Sequence, residues 1–325
     1  MNKIKQYLHI INDSIGQLKI GENPGNLYDP INYIMSLGGK RIRPMLTLLS
    51  YELFCDGDIT TAINPSLAIE SFHNFTLMHD DLMDKAPLRR GKPTVHEKWD
   101  SNTAILSGDV MLVRAYDLFL GLNPVIIPGI IRKFNDCAAQ VCEGQQIDMN
   151  YEKLEKVSEE EYLEMIKLKT AVLLGFSLEL GALLGGADDD SAEKMKECGI
   201  NIGMGFQLKD DLLDVYADNL KFGKLIGGDI IANKKTYLLI KARELARGSL
   251  KKDLENWISL KEFNPTEKVE AITSIYNRLG IIKITSEKIR EYFDKGFDSF
   301  AKVNIPGSRK KILYDYFEDM IGREK

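Results

Sequence analysis

Two segments of this 325-residue chain carry one acidic pattern: Asp80-Asp81-Leu82-Met83-Asp84 and Asp210-Asp211-Leu212-Leu213-Asp214 both read DDLxD. Each lies inside an apolar run with helical spacing, FHNFTLMHDDLMD and IGMGFQLKDDLLDVY. Asp80 and Asp84 stand at i and i+4 and so project from one helical face, as do Asp210 and Asp214. A single DDxxD is often no more than a solvated helix surface. Two copies weaken that explanation, because Asp is a poor interior helix former and like charges at i,i+4 destabilise a helix. A divalent cation removes the conflict. The donors on offer are carboxylates, without thiolates or paired histidines, so the expected ion is hard: magnesium, with manganese as the alternative. Magnesium keeps several waters and takes phosphate oxygens as co-ligands, so the implied substrate carries phosphate.

Cations should then clamp the rest of that phosphate. Gly38-Gly39-Lys40-Arg41-Ile42-Arg43-Pro44 places three of them before an apolar helix, and Arg89-Arg90-Gly91-Lys92-Pro93 follows the first Asp cluster. Lys167 and Lys169-Thr170 open a glycine-rich apolar run, and Lys224, Lys234 and Lys235 lie in and after FGKLIGGD. Each group alone reads as a solvated patch; together they suit two phosphate groups, Arg gripping bidentately and Lys acting as a point charge. Of the four histidines, His73 and His79 sit a turn or two from the first cluster, where a core or hydrogen-bonding role is the default. No Ser–His–Asp or Cys–His arrangement, GxGxxG or GxxxxGK[ST] is present, so hydrolase and nucleotide-binding readings have no footing.

The elements that must position these residues read as helices. Strand signals are nearly absent, and breakers at 21–30, 55–58, 123–129, 185–191 and 263–266 separate helical stretches. The expectation is all-α: residues 1–325 form a single domain, a bundle of about ten or more helices around a central cavity. With 43 Lys+Arg against 48 Asp+Glu, the net charge of −5 excludes the global basic field of a nucleic-acid binder. Four cysteines show neither a disulfide framework nor zinc spacing, which points to a reducing compartment. The longest apolar stretch, residues 171–187, is interrupted by Glu179 and reads as a buried core helix, so no membrane span is expected. The N-terminal segment is helical in spacing and lacks an apolar secretory core, and a cytoplasmic protein is expected.

The ordered motifs GGKRIRP, HDDLMD with RRGKPTVH, EGQQID, KLKT, GFQLKDDLLD and GKLIGGDIIANKKT resemble those of the trans-isoprenyl diphosphate synthases, the polyprenyl synthetase family. The resemblance runs from Gly38 to Thr236. It implies a helical fold, a homodimer and three magnesium ions per site. By the same resemblance Asp80, Asp84 and Asp210 match metal ligands on facing helices. Asp81, Asp211, Asp214 and Asp229 match groups that support them or the metal-bound waters, Asp81 and Asp214 being counted with the metal set. Arg89, Lys169, Thr170, Gln207, Lys224 and Lys234 match the allylic diphosphate site, with Asp80, Asp84, Asp210, Lys169, Thr170 and Lys234 as the catalytic set. Lys40, Arg43, His73 and Arg90 match the isopentenyl diphosphate site. Gln145 and Asp148 match a polar pair on a cavity-lining helix.

The implied reaction is ionisation of an allylic diphosphate, attack of the isopentenyl double bond on the cation and loss of a proton to the released diphosphate. Two departures stand out: the chain ends Arg323-Glu324-Lys325 where the family tail is often a basic pair, and His73 stands where some members have Gln. A terpene cyclase would replace the second Asp cluster and need no GGKRIRP, and a non-catalytic subunit of a heteromeric synthase would lose one cluster. Both clusters are intact. Product length rests on Phe75 and Thr76, about 7 Å below Asp80 at a 1.5 Å rise. One aromatic beside a small residue, with an uninterrupted DDLMD, resembles the geranylgeranyl-forming type, with a farnesyl-forming synthase as runner-up and Phe72 as a second floor for the tail.

Overall fold

Helices form wherever the breakers leave room for them. The computed structural model describes residues 3–216 and 227–322. Its elements are α1 (Lys3–Gln17), α2 (Gly25–Ser36), α3 (Ile42–Phe54), α4 (Thr60–Met83), β1 (Leu88–Arg89), β2 (Lys92–Pro93), α5 (Val95–Lys98), α6 (Ser101–Asp117), α7 (Ile127–Glu152) and α8 (Glu159–Ile166). A π-helical turn (Lys167–Ala171) then leads into α9 (Val172–Leu184) and α10 (Asp189–Tyr216). The chain continues through α11 (Gly228–Ile231), α12 (Tyr237–Leu245), α13 (Gly248–Ser259), α14 (Pro265–Leu279), α15 (Ile281–Ala301) and α16 (Gly307–Gly322). The all-α expectation holds, and four of the five breaker segments fall at or between helix ends, while the first, 21–30, extends into α2 as far as Pro30. Local chemistry sets several of those ends. Asp100 accepts from Thr103 N at 2.9 Å to cap α6, Ser158 and Glu161 form a capping box on α8, and Asn264 caps α14 ahead of Pro265.

One feature departs from the expected absence of strands. Leu88–Arg89 and Lys92–Pro93 pair as a two-residue antiparallel ladder. Arg90 and Gly91 both have positive φ, 52° and 73°, the signature of a tight type I′ hairpin turn.

The residues cluster into two compact units. The first comprises residues 1–138, 173–196 and 302–316. Its spine is α4, in which Leu67, Ala68, Ile69, Phe72, Phe75 and Met78 are all buried. The apolar stretch around α9 is the buried core helix the sequence implies: Leu173, Leu174, Phe176, Leu178 and Leu180 are inside, and Ser50 and Thr47 of α3 donate to its Leu178 and Ser177 carbonyls at 2.6 and 3.0 Å. Glu179, which interrupts that stretch, is buried and ion-paired to Lys133 at 2.5 Å, so the charge is compensated rather than solvated.

The second unit comprises residues 139–172, 197–301 and 317–325. One core cluster joins Val215 of α10, Ile230 of α11, Leu238 and Leu239 of α12, Leu254 of α13, and Ile272 and Tyr276 of α14. No described helix is long and apolar enough to cross a membrane.

Candidate active site

The first Asp cluster occupies the last turn of α4, with Asp84 as its C-cap. Asp81 points inward and is only 3% exposed. Arg89, brought back by the hairpin, donates from Nε to Asp81 Oδ2 and from Nη2 to Oδ1, both at 2.7 Å, and lies 4.0 Å from Asp80 Oδ2. Thr94 closes the intervening loop by donating from Oγ1 to Ala86 O at 2.7 Å, while Ala86 N donates to Asp81 O at 2.9 Å. Burial pushes the Asp81 carboxyl up, and the Arg89 hydrogen bond and charge pull it back.

Three carboxylates therefore crowd the C-terminal end of a helix, where the macrodipole is already negative. Arg89 neutralises Asp81. Asp80 and Asp84 remain on one face, an all-oxygen donor pair suited to a hard cation. Among the described residues no group of three or more His, Cys, Asp or Glu side chains could hold an ion by itself.

The same unit gathers the residues expected to meet the second substrate. Arg43, at the start of α3, is half-buried, and its Nη1 lies 3.0 Å from His73 Nε2 on α4. Burial and the neighbouring guanidiniums of Arg43, Arg90, Arg89 and Arg41 hold His73 well below its ordinary value of 6.5, so its neutral ring accepts from Arg43. Burial lowers Arg43 itself to about 10, which leaves it charged at neutral pH. Its Nε is buried without a hydrogen-bond partner among the described residues. Arg90, at the hairpin tip, donates to Gly38 O, and Lys40 is exposed on the same GGKR loop. Arg41 is spent internally: it is 4% exposed, paired to Glu70 at 2.6 Å and donating to Met35 O at 2.6 Å.

Phe75 is buried and packs on His79 and Phe72, with ring centroids 4.7 and 5.7 Å apart. Phe72 continues to Phe134 of α7 at 5.3 Å, and Phe134 touches Phe119, Tyr116 and Phe176. Sequence spacing reached Phe75, Thr76 and Phe72, which share one helix. It could not reach Phe134 or Phe176, which come from other helices.

In the second unit α10 presents Asp210 exposed and Asp214 half-buried, while Asp211 turns inward at 6% exposure. Asp214 Oδ2 accepts from Asp229 N at 3.0 Å, and Asp214 O accepts from Gly227 N at 2.7 Å, so the carboxylate is tied to the start of α11. Lys234 follows that helix, its N donating to Asp229 O at 2.9 Å. Asp211 accepts from Tyr162 Oη and, at 3.1 Å, from Gln207 Nε2. Burial and the nearby Asp229 charge push Asp211 up to about 7, against the opposing effects of Tyr162, Lys234 and Gln207. Tyr162 carries no motif that sequence reading could have used.

Lys169 and Thr170 lie in the π-helical turn, a geometry rare enough to mark a functional site. Lys169 Nζ donates to Asp148 Oδ2 at 2.6 Å, and Thr170 Oγ1 donates to Gln207 Oε1 at 3.2 Å. Two glycines admit the turn: a Cβ on Gly144 of α7 would lie 2.2 Å from Lys169 N, and one on Gly203 of α10 would lie 2.8 Å from Ala171 Cα. Gln145 Nε2 is buried without a hydrogen-bond partner among the described residues. Lys224 and Arg323 lie outside the described residues.

The chain matches the model of the polyprenyl synthetase family over residues 24–276, and it belongs to that family. It is a prenyltransferase of isoprenoid biosynthesis, in a family that generally uses a divalent metal. A geranylgeranyl pyrophosphate synthase of Geoglobus acetivorans is 36% identical over 322 residues, covering 96% of this chain and 97% of that protein. A geranylgeranyl diphosphate synthase of Methanosarcina mazei is 34% identical over 327 residues, covering 100% of this chain and 98% of that one. A crystal structure of a geranylgeranyl pyrophosphate synthase superposes with a TM-score of 0.94 at 42% identity, covering 100% of both chains.

Proposed function

We propose that this enzyme is a magnesium-dependent geranylgeranyl diphosphate synthase that extends dimethylallyl, geranyl and farnesyl diphosphates with isopentenyl diphosphate and releases diphosphate. The observation that carries the reading is that each DDLxD motif presents an exposed or half-exposed carboxylate pair at i and i+4 while burying its middle Asp on dedicated partners. The full-length likeness to geranylgeranyl diphosphate synthases supports the product.

Asp80, Asp84, Asp210 and Asp214 would hold magnesium, with Asp81 acting through Arg89. Magnesium, when bound, neutralises the diphosphate and stabilises it as a leaving group, worth several kcal/mol together with the cationic side chains. Lys169, Thr170, Gln207 and Lys234, joined by Lys224 and Arg89, orient the allylic diphosphate. Lys40, Arg43, His73 and Arg90 hold isopentenyl diphosphate, and the buried Arg43 Nε is a donor suited to one of its phosphate oxygens. The allylic cation is attacked by the isopentenyl double bond, and the released diphosphate takes the proton. The aromatic stack below Asp80 keeps water from the growing tail.

A homodimer accompanies this reading. Leu106, Val113, Leu120 and Val125, on and just beyond α6, are 58%, 62%, 67% and 84% exposed, an apolar face that a second copy of the chain would cover. Leu106→Glu/Val113→Glu should sediment as a monomer.

Purified protein supplied with magnesium, isopentenyl diphosphate and each allylic primer in turn tests the assignment. A twenty-carbon product is expected. A fifteen-carbon end product would overturn the chain length, and no consumption of isopentenyl diphosphate would overturn the activity. Asp80→Ala and Asp210→Ala should each lower turnover by orders of magnitude with unchanged helicity, and chelation should abolish it; full activity in either variant under saturating magnesium would remove that residue from the metal site.

A further inference from the structure

Tyr162 is 2% exposed on α8, and its hydroxyl lies at the start of a hydrogen-bond chain. Tyr162 Oη donates to Asp211 Oδ2, Gln207 Nε2 donates to Asp211 Oδ1 at 3.1 Å, and Thr170 Oγ1 donates to Gln207 Oε1 at 3.2 Å. The chain has one sense. Gln207 Nε2 donates to Asp211 and Gln207 Oε1 accepts from Thr170, so the amide turns its nitrogen to Asp211 and its oxygen to Thr170. Both Asp211 oxygens are thus matched, and α8, α10 and the π-turn are linked in register.

We propose that the Tyr162 hydroxyl is a positioning group for prenyl transfer, fixing through Asp211 and Gln207 both the carboxylate face of α10 and the hydroxyl of Thr170. The proposal rests on the reading of Asp210 and Asp214 as magnesium ligands and of Lys169 and Thr170 as contacts to the allylic diphosphate. Asp210 precedes Asp211 directly and Asp214 lies a turn later, so any roll of α10 that finds Asp211 Oδ2 a new donor moves both. The π-turn has little freedom to follow, since Gly144 and Gly203 hold it at backbone contact. Without Tyr162 Oη the buried Asp211 oxygen is left unmatched, a state that proteins relieve by rotation of the side chain or by protonation.

The test is Tyr162→Phe in the full chain, assayed against magnesium and both substrates. Expected are a fall in kcat of tenfold or more and several-fold increases in the half-saturating magnesium concentration and the allylic KM. The isopentenyl diphosphate KM should stay within twofold and the far-UV spectrum should be unchanged. Combined with Thr170→Val, the loss should be clearly less than the product of the single losses, because both variants cut one chain although the two side chains do not touch. All parameters within twofold of wild type, a parallel loss that includes the isopentenyl diphosphate KM, or a multiplicative double variant would each overturn the role. Should Tyr162→Phe fail to fold, Asp211→Asn, which keeps the buried volume, must show the same split between substrates, and its absence overturns the role equally. Asp210→Asn run alongside separates the two claims. Full activity there overturns the metal reading, whereas its loss beside a wild-type-like Tyr162→Phe overturns only the positioning role.

Discussion

Arg89 grips Asp81 through two parallel contacts of 2.7 Å, so the middle carboxylate of the first acidic motif faces a guanidinium rather than solvent. Asp211, its counterpart in the second motif, is likewise buried, but on two neutral donors, Tyr162 and Gln207. The motif thus divides its labour: the outer Asp residues present charge, and the middle one anchors the structure that presents it. Asp81→Asn would set an amide NH2 against one guanidinium nitrogen and should cost about 1–3 kcal/mol, read as a lower urea midpoint, together with reduced turnover. Arg89→Lys should not compensate, because a point charge cannot make both contacts. An unchanged midpoint and turnover in Asp81→Asn would show that the pair anchors nothing.

The two substrates should separate by mutation. Arg43→Ala removes a charge from the isopentenyl side, and Lys234→Ala removes one from the allylic side. Each loses a charge-assisted contact of roughly 1.5–3 kcal/mol, so the corresponding KM should rise about ten- to a hundredfold while the other changes little. Weakening of the same substrate in both variants would reject the two-site map.

His73 makes folding stability depend on pH. Its folded value lies well below 6.5, so the unfolded chain binds the proton more tightly than the folded one. Stability should therefore be fully present above pH 6.5 and fall as the pH drops below it, by up to about 1.4 kcal/mol per unit from this group. Urea unfolding of wild type and His73→Gln between pH 7.5 and 5 should show a shallower acid decline in the variant. Parallel curves would show that the ring titrates normally.

Gly144→Ala should be costly although alanine favours helices. The added methyl would lie 2.2 Å from Lys169 N, a backbone atom that cannot swing aside. Overpacking of about 1–3 kcal/mol and a raised allylic KM are expected. Gly129→Ala in the same helix meets nothing within 4 Å and should be neutral or slightly stabilising. Equal behaviour of the two variants, by thermal melting and by kinetics, would refute the close-approach argument.

Phe75→Ala should lengthen the product. The ring stacks between His79 and Phe72, and Phe72 rests in turn on Phe134, so its removal opens one step of the stack and leaves the next in place. A shift of one five-carbon unit is expected by chromatography of the dephosphorylated alcohols. An unaltered product distribution would move the floor to another residue.

The sequence by itself determined the all-α class, the helix joints and the carboxylates that stand on one helical face. These follow from 3.6-residue periodicity and from Gly, Pro, Asn and Asp at breaks, which act over a few residues. It likewise marked Arg43 and His73 as candidates without showing that they touch. Only the tertiary structure decided which charged groups pair with which. Arg41 goes to Glu70, Lys169 to Asp148 and Asp211 to Tyr162, each across more than twenty residues, while Arg89 reaches Asp81 through the hairpin that folds the chain back. Burial sets the cost of leaving such a group unpaired, and burial depends on which helices pack together. The π-turn was hidden for the same reason, because a single inserted residue leaves no mark on hydrophobic spacing and becomes visible only where Gly144 and Gly203 allow two helices to press against it.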